Sequence, residues 1–309
     1  MATPGTPAGG GQRTDRDGKP LAADVPIAVA RVALLSPTEA WLEGIRVDPR
    51  VRGMEVATEL QVAELSWAAG KGATVVRYAT GAANEASHRL GARHGFELLV
   101  ALRTWWWRDP ALAGGEDDER DEGNGFDEAA RKQATKRRRA ALEALARRGL
   151  RPAPGAAAAL WPRVAADPTF NAGQRLYEIR PWGLAELTEP RFAEHARRGE
   201  VVVVDSSSDG WALAILEREA QPSEDVSFHL SLLVGDGRAG LRLAETVREA
   251  VGESIRFRLP DPSPPLLRGV AEAFSVTGYV AREWTLHILA RAVDAALPPP
   301  AMDRGATIG

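Results

Sequence analysis

The stretch Val47-Asp48-Pro49-Arg50-Val51-Arg52-Gly53-Met54-Glu55-Val56-Ala57 decides how this chain folds. Ahead of it, Trp41 to Val47 reads as a strand: by the two-residue period Trp41, Glu43, Ile45 and Val47 share one face, and Asp48-Pro49 ends the ladder. Behind it, Val56, Leu60, Ala63 and Trp67 recur at helical spacing, which predicts a helix ending at Gly70-Lys71-Gly72. The turn between them enters the helix at Glu55. A first helical turn leaves N–H groups unpaired and carries partial positive charge, so this turn suits phosphate oxygens, and Arg52 adds a full charge.

Outward from that turn the elements follow in a definite order. Pro26 to Leu35 is a buried strand turned by Ser36-Pro37-Thr38. Thr74 to Ala79 is another strand, Asn84 to His94 a short helix, and Glu97 to Trp107 a long strand. The sum is β-β-α-β-α-β. Residues 109–175 change character, with an acidic, glycine-bearing stretch, a basic helix from Asp127 to Arg148, and Pro152-Ala153-Pro154-Gly155, and are read as a charged linker with one helix. The same order then returns: a helix over Ala185 to Arg198, strands Val201 to Val204, Trp211 to Leu216 and Val226 to Val234, and a turn over Gly235 to Gly240. A helix Leu241 to Val251, strand Ile255 to Leu259, helix Pro265 to Ser275, Gly278-Tyr279 and strand Glu283 to Ala290 complete it. Gly278-Tyr279 stands where Gly95-Phe96 stood, which suggests duplication of one domain.

Val47-x-Pro49, Arg52-Gly53, Asn84, Ser87, Leu90 and Gly95-Phe96 together resemble the core of the GNAT N-acetyltransferase superfamily, and the tandem order resembles its two-domain members. The resemblance covers the first third of the chain well and the last third weakly. It implies an α/β fold with mixed sheets: two GNAT-like acetyltransferase domains in tandem, the first truncated at its N-terminus and the second degenerate. The boundaries are a flexible tail 1–22, an acetyl-CoA-binding domain 23–108, the linker 109–175, the second domain 176–294 and a tail 295–309. The implied reaction is transfer of an acetyl group from acetyl-CoA, a cosubstrate, to a small-molecule or peptide amine. The implied cofactor contacts are backbone groups of Ile45 and Val47, the pyrophosphate loop Arg52, Gly53, Met54, Glu55, Val56 and Ala57, and Asn84.

Two positions depart from the family pattern. A glycine is replaced by Glu55, which carries the same sign of charge as a diphosphate, so either Glu55 points away or coenzyme A binds poorly. Seven residues after Asn84, where the family often has a tyrosine that protonates the departing thiolate, stands Gly91. Glu43 is the candidate general base, as a strand carboxylate able to take an amine proton through water; its other reading is a solvent-facing Glu. Asn84 reads as a helix N-cap alone or as a cap that also touches ligand. His88 reads as an acid or an exposed helical histidine, and Trp105-Trp106-Trp107 as an acceptor wall or a sealed core.

Composition narrows the rest. In 309 residues there are no Cys, and the His number 5 without a ligand motif, so thiolate chemistry is excluded and no metal site is expected. A net charge of −3 argues against a general nucleic-acid binder. The Lys136-Arg137-Arg138-Arg139 run reads as a solvated helix face or a contact for an acidic partner. Neither a signal peptide nor an apolar run of spanning length is visible, so the expected location is the cytoplasm, without membrane contact, as a monomer with paired domains or a homodimer. Two other functions compete. One is a non-catalytic scaffold or binding protein. The other is a dinucleotide-binding protein using Gly235-Asp236-Gly237-Arg238-Ala239-Gly240 with Asp261 further on.

Overall fold

A computed structural model describes residues 14–22, 25–107, 128–180, 182–208, 210–218, 228–251, 255–261 and 284–293. The chain forms two compact units, Met1–Leu98 with Leu289–Gly309, and Leu99–Ile288.

In the first unit β1 (Ala28–Ser36) and β2 (Glu39–Val47) form an antiparallel hairpin. The Ser36 hydroxyl oxygen accepts the Glu39 amide at 3.1 Å and fixes the turn. A 3-10 turn (Pro49–Val51) leads towards α1 (Val56–Gly70), and β3 (Val75–Gly81) returns parallel to β2, giving the order β1-β2-β3. Then come α2 (Glu85–Arg93) and the start of β4 (Glu97–Trp107). Leu42, Leu65, Ala68, Val76, Tyr78 and Phe96 form the core with Leu289 and Val293 from the far end of the chain, and the Val293 amide donates to the Thr74 carbonyl at 2.9 Å.

Two expectations for this unit need correction. α1 does not bury the stripe Val56, Leu60, Ala63 and Trp67: it buries Gln61, Glu64, Leu65 and Ala68, turning two polar side chains inward. Nor are all of residues 1–22 a loose tail. The Asp15 carboxylate accepts the amides of Asp17 and Lys19 at 2.9 and 2.8 Å, an Asx turn that holds Leu21 buried.

The second unit opens with the rest of β4 and then α3 (Glu128–Arg147). Residues read as linker fold into α4 (Pro154–Ala158), α5 (Trp161–Ala165) and α6 (Pro168–Ala172), each with proline in its first turn, where the missing N–H goes unneeded. β5 (Leu176–Arg180) and β6 (Gly183–Glu186) form a hairpin, and α7 (Glu189–Arg197) follows, so the helix expected from Ala185 begins later. β7 (Val201–Ser206), β8 (Gly210–Arg218), β9 (Phe228–Gly235), α8 (Gly237–Val251) and β10 (Ile255–Asp261) complete a sheet of order β4-β10-β9-β8-β7. α8 packs on β7, β8 and β9, and α3 packs on α8 through Ala141 and Leu145. β11 (Trp284–Ala292) is the last strand described. The expected helix Pro265 to Ser275 and Gly278-Tyr279 lie outside the described residues.

The unit's internal order matters for its origin. β8 and β9 are antiparallel, α8 crosses over, and β10 returns parallel to β9, as β1, β2, α1 and β3 do in the first unit.

Candidate active site

The first unit's groove exists because two parallel strands part. β2 and β3 are paired from Glu39 opposite Val75 to Leu42 opposite Tyr78 and no further, although β2 runs on to Val47 and β3 to Gly81. The cause lies on the other edge of β2. Val29 faces Arg46 and Arg31 faces Glu43, so β2 carries one extra residue there, and Gly44 takes a left-handed φ of +71°. Such a bulge bends its strand, and glycine adopts that backbone without strain. Below the fork Arg77 and Glu39 lock the strands through a largely buried 2.7 Å ion pair.

A groove of about 1040 Å³ fills the fork and reaches the start of α1. Glu43, Ile45, Val47, Arg52, Gly53, Glu55, Val56, Ala57 and Asn84 all line it. Met54 does not, and is 43% exposed. Among the described residues the amides of Gly53, Glu55, Val56, Ala57 and Thr58 have no backbone acceptor outside the helix ladder, and the first return bond of α1 is Glu59 N–H to Glu55 C=O at 3.0 Å. Those amides, the helix end and Arg52 make an electropositive corner.

Glu55 is the helix N-cap, in left-handed conformation at φ 60°, which explains why a glycine fits this position well. Its carboxylate accepts the Thr58 hydroxyl at 2.8 Å and lies 3.3 Å from the Arg93 guanidinium. The Thr58 hydrogen bond first, then the Arg93 charge, hold it below the usual carboxylate value. The carboxylate expected to oppose a diphosphate thus has a cation of its own.

Glu43 makes a 3.0 Å cross-strand ion pair with Arg31. Asn84 caps α2, its side chain accepting the Ser87 amide at 3.2 Å. His88 is on α2 but outside the groove lining, and Trp105 is buried in the second unit's core rather than in an acceptor wall. The side chains of Trp106 and Trp107, like those of Arg137 and Arg138, lie outside the described residues. Lys136 and Arg139 are exposed on α3, with Arg139 paired to Glu143 at 2.9 Å. Gly44, Thr58, Tyr78 and Arg93 escaped sequence reasoning. Of these only Gly44, interrupting an alternating strand, left a local signal.

The second unit has the same fork, filled. β9 and β10 pair only from Phe228 opposite Ile255 to Leu230 opposite Phe257. Beyond that, residues of α6 and β5, including Phe170, Tyr177 and Glu178, crowd against Leu232, Val234 and Pro260 around a cavity of about 30 Å³, room for no more than a water or two. Glu178 is buried and bound by Arg256 at 3.0 Å and by Arg258. Burial first, and then the Arg256 and Arg258 charges, push the neighbouring His229 down to about 4.

The glycine motif of this unit is explained by packing. A Cβ on Gly235 would meet the Trp211 carbonyl oxygen at 2.2 Å, and the Asp236 carboxylate accepts the Trp211 amide at 2.8 Å. The Gly235 amide donates to the buried Asp167 carboxylate, and Asp261 pairs with Arg103 at 3.1 Å. Gly235, Asp236 and Asp261, the groups on which a dinucleotide reading leaned, are thus engaged within the unit.

Comparison with known proteins bears on the first unit. Solved structures of similar arrangement include a GCN5-related N-acetyltransferase from Sphaerobacter thermophilus, with 14% identity over 91% of this chain and 79% of that one and a TM-score of 0.46. A tandem GNAT protein from the clavulanic acid biosynthesis pathway shares 14% identity over 89% of this chain and 81% of its own, with a TM-score of 0.42. No curated protein matches the sequence. Residues 14–96 match the Acetyltransferase (GNAT) family. The stretch that builds the forked groove is therefore the stretch that is similar to the Acetyltransferase (GNAT) family.

Proposed function

We propose that the first unit transfers an acetyl group from acetyl-CoA to an amine, in the cytoplasm, and that the second unit is a degenerate copy of the same fold. One observation carries the reading: parallel strands that part after Leu42 and Tyr78 open onto a helix start whose amides lack backbone acceptors among the described residues. The diphosphate of the cosubstrate suits the amides of Gly53, Glu55, Val56 and Ala57, with Arg52 as counter-charge. The unpaired edge of β2 at Ile45 and Val47 offers N–H and C=O groups to an extended, amide-containing pantetheine arm. Asn84 caps α2 and has its side-chain N–H₂ left to meet the same arm.

In the chemical step the amine nitrogen attacks the thioester carbonyl, and its proton passes to Glu43, directly or through water. The Arg31 guanidinium, 3.0 Å away, fixes the position of that carboxylate. The same ion pair also supports a second reading, a binding protein without turnover, because it engages the carboxylate with an arginine of the neighbouring strand.

The experiment is thiol release from acetyl-CoA with a panel of primary amines, run beside a thermal shift with coenzyme A. Acetyl transfer predicts both turnover and stabilisation, with Glu43→Gln lowering kcat by about 10²-fold or more while coenzyme A affinity holds. Stabilisation without turnover favours the binding protein. No stabilisation at all defeats both.

A further inference from the structure

The core of the first unit runs on into the groove along two rows of side chains. On β3 the buried residues are Val76, Tyr78 and Thr80, and on α1 they are Gln61, Glu64, Leu65 and Ala68. Val76, Tyr78, Leu65 and Ala68 pack in one apolar cluster, so the two rows face each other. Gln61 stands one helical turn from Leu65 on the same side of α1, and Thr80 follows Tyr78 on the same side of β3. Where the strands part after Leu42 and Tyr78, the apolar rows therefore give way to a carboxamide and a hydroxyl, and both Gln61 and Thr80 line the groove.

Gln61 is 2% exposed, and its Oε1 has no hydrogen-bond partner among the described residues. The polar groups around it are engaged elsewhere or bring it nothing. Tyr78 donates to the Ser87 carbonyl at 3.1 Å and fills the space that a Cβ on Gly91 would need. Glu43 is paired with Arg31, and Asn84 caps α2. Glu64, the other inward polar residue of α1, has no partner for either oxygen among the described residues. A buried amide oxygen left unpaired is costly, and one that lines an open groove is satisfied by what the groove takes in.

A thioester arm that starts at the α1 N-terminus and runs inward along β2 ends where β2 and β3 close, which brings its acyl group to the end of the groove that Gln61 and Thr80 line. A plain alkyl chain leaves the carboxamide unpaired. A hydroxyl on the chain donates to Gln61 Oε1 and accepts from the Thr80 hydroxyl. A carboxylate suits this end poorly, because the lining arginines Arg46, Arg52, Arg89 and Arg93 are all exposed while Gln61 and Thr80 are buried and neutral. We infer that Gln61, together with Thr80, is a specificity-determining residue that selects coenzyme A thioesters of short hydroxy acids over the alkanoyl thioesters of the same length. The inference rests on the acyl-transfer reading above and narrows the acyl group that the same groove takes. The bond changes stay those of that reading: the amine nitrogen bonds the acyl carbon, the C–S pair leaves with sulfur, and the proton shed by the amine ends on the thiol. The hydroxyl of the acyl chain takes no part in them.

The test compares 3-hydroxybutyryl-CoA with butyryl-CoA, which differ by one hydroxyl, in a thiol-release assay with a panel of primary amines and acetyl-CoA and succinyl-CoA run beside them. The wild type is expected to favour the hydroxyacyl thioester by about 10-fold or more in kcat/KM and to use succinyl-CoA least. Gln61→Leu, an apolar side chain of similar size, is expected to abolish or reverse that preference, and Thr80→Val to reduce it. The melting midpoint of each variant checks that it has folded, and Gln61→Leu should melt no lower than the wild type, since it removes a buried unpaired amide. A wild type that favours butyryl-CoA, or a preference that survives Gln61→Leu, overturns the inference. Turnover of acetyl-CoA with equal use of the two four-carbon thioesters overturns it while leaving acyl transfer standing. A wild type that turns over none of the thioesters removes both.

Discussion

Arg93 Nη1 lies 3.3 Å from Glu55 Oε2, joining the end of α2 to the N-cap of α1 across the mouth of the groove. Both side chains are more than 60% exposed, so the pair adds little to stability. Its effect is on what else approaches the helix start. Arg93→Ala leaves the Glu55 carboxylate uncompensated beside an incoming diphosphate and is expected to weaken coenzyme A binding by about 5- to 10-fold. Glu55→Gly tightens binding and, by relieving a left-handed glutamate, raises the melting midpoint by about 2 °C or more. The double variant binds better than Arg93→Ala alone. Calorimetry on the four proteins of this cycle measures the coupling, and additive effects would separate Glu55 from the ligand.

Gly44 holds the bulge that opens the fork. No atom would touch a Cβ there, so the only penalty of Gly44→Ala is its φ of +71°. That strain costs about 1 kcal/mol in urea unfolding. It also favours a straighter β2, and coenzyme A affinity is expected to fall with it. A variant of wild-type stability and affinity would show that the bulge is not held by this glycine.

Glu64 is a buried carboxyl on α1 for which neither oxygen finds a hydrogen-bond partner among the described residues, and burial raises it to about 8. Between the ordinary carboxyl value and about 8 the folded protein keeps a proton that the unfolded chain has released. Stability is therefore full below the ordinary value and declines as pH rises through that window. Glu64→Gln keeps the shape and removes the titration, so it is expected to stabilise the protein at pH 9 by up to a few kcal/mol and to flatten the slope. Urea midpoints at several pH values supply the check.

The filled fork of the second unit predicts stoichiometry. One coenzyme A per chain should bind, and nicotinamide dinucleotides should leave the melting midpoint unmoved, because Phe170 and Tyr177 occupy the space and Asp167 already accepts the Gly235 amide. Gly235→Ala, with its Cβ at 2.2 Å from the Trp211 carbonyl oxygen, is expected to destabilise by about 2 kcal/mol or more without touching coenzyme A affinity. Two bound equivalents would contradict the plug.

Much of the first unit was legible because its signals are local: alternation in β2, Pro49 as a strand stop, Asn84 as a cap. The candidate loop was legible for the same reason, since Arg52 and Gly53 are next to the helix they serve. What escaped depends on residues distant in sequence. Nothing near Gly91 announces that Tyr78 fills its space, and nothing near Glu55 announces Arg93. α1 misled because its buried face carries Gln61 and Glu64, polar residues that a hydrophobic stripe excludes. In the second unit the proline-led helices from Pro154 to Ala172 looked like a linker, since five-residue helices are too short to show a period.

Leu289 and Val293 close the core over Phe96 and Tyr78. The unit that carries the groove thus takes its core from two stretches with the second unit between them in the chain. On a ribosome its hairpin and helices must wait, with part of their apolar surface uncovered, until Leu289 and Val293 emerge. A nonsense change or proteolytic nick just ahead of Leu289 would harm the groove while sparing every residue that lines it.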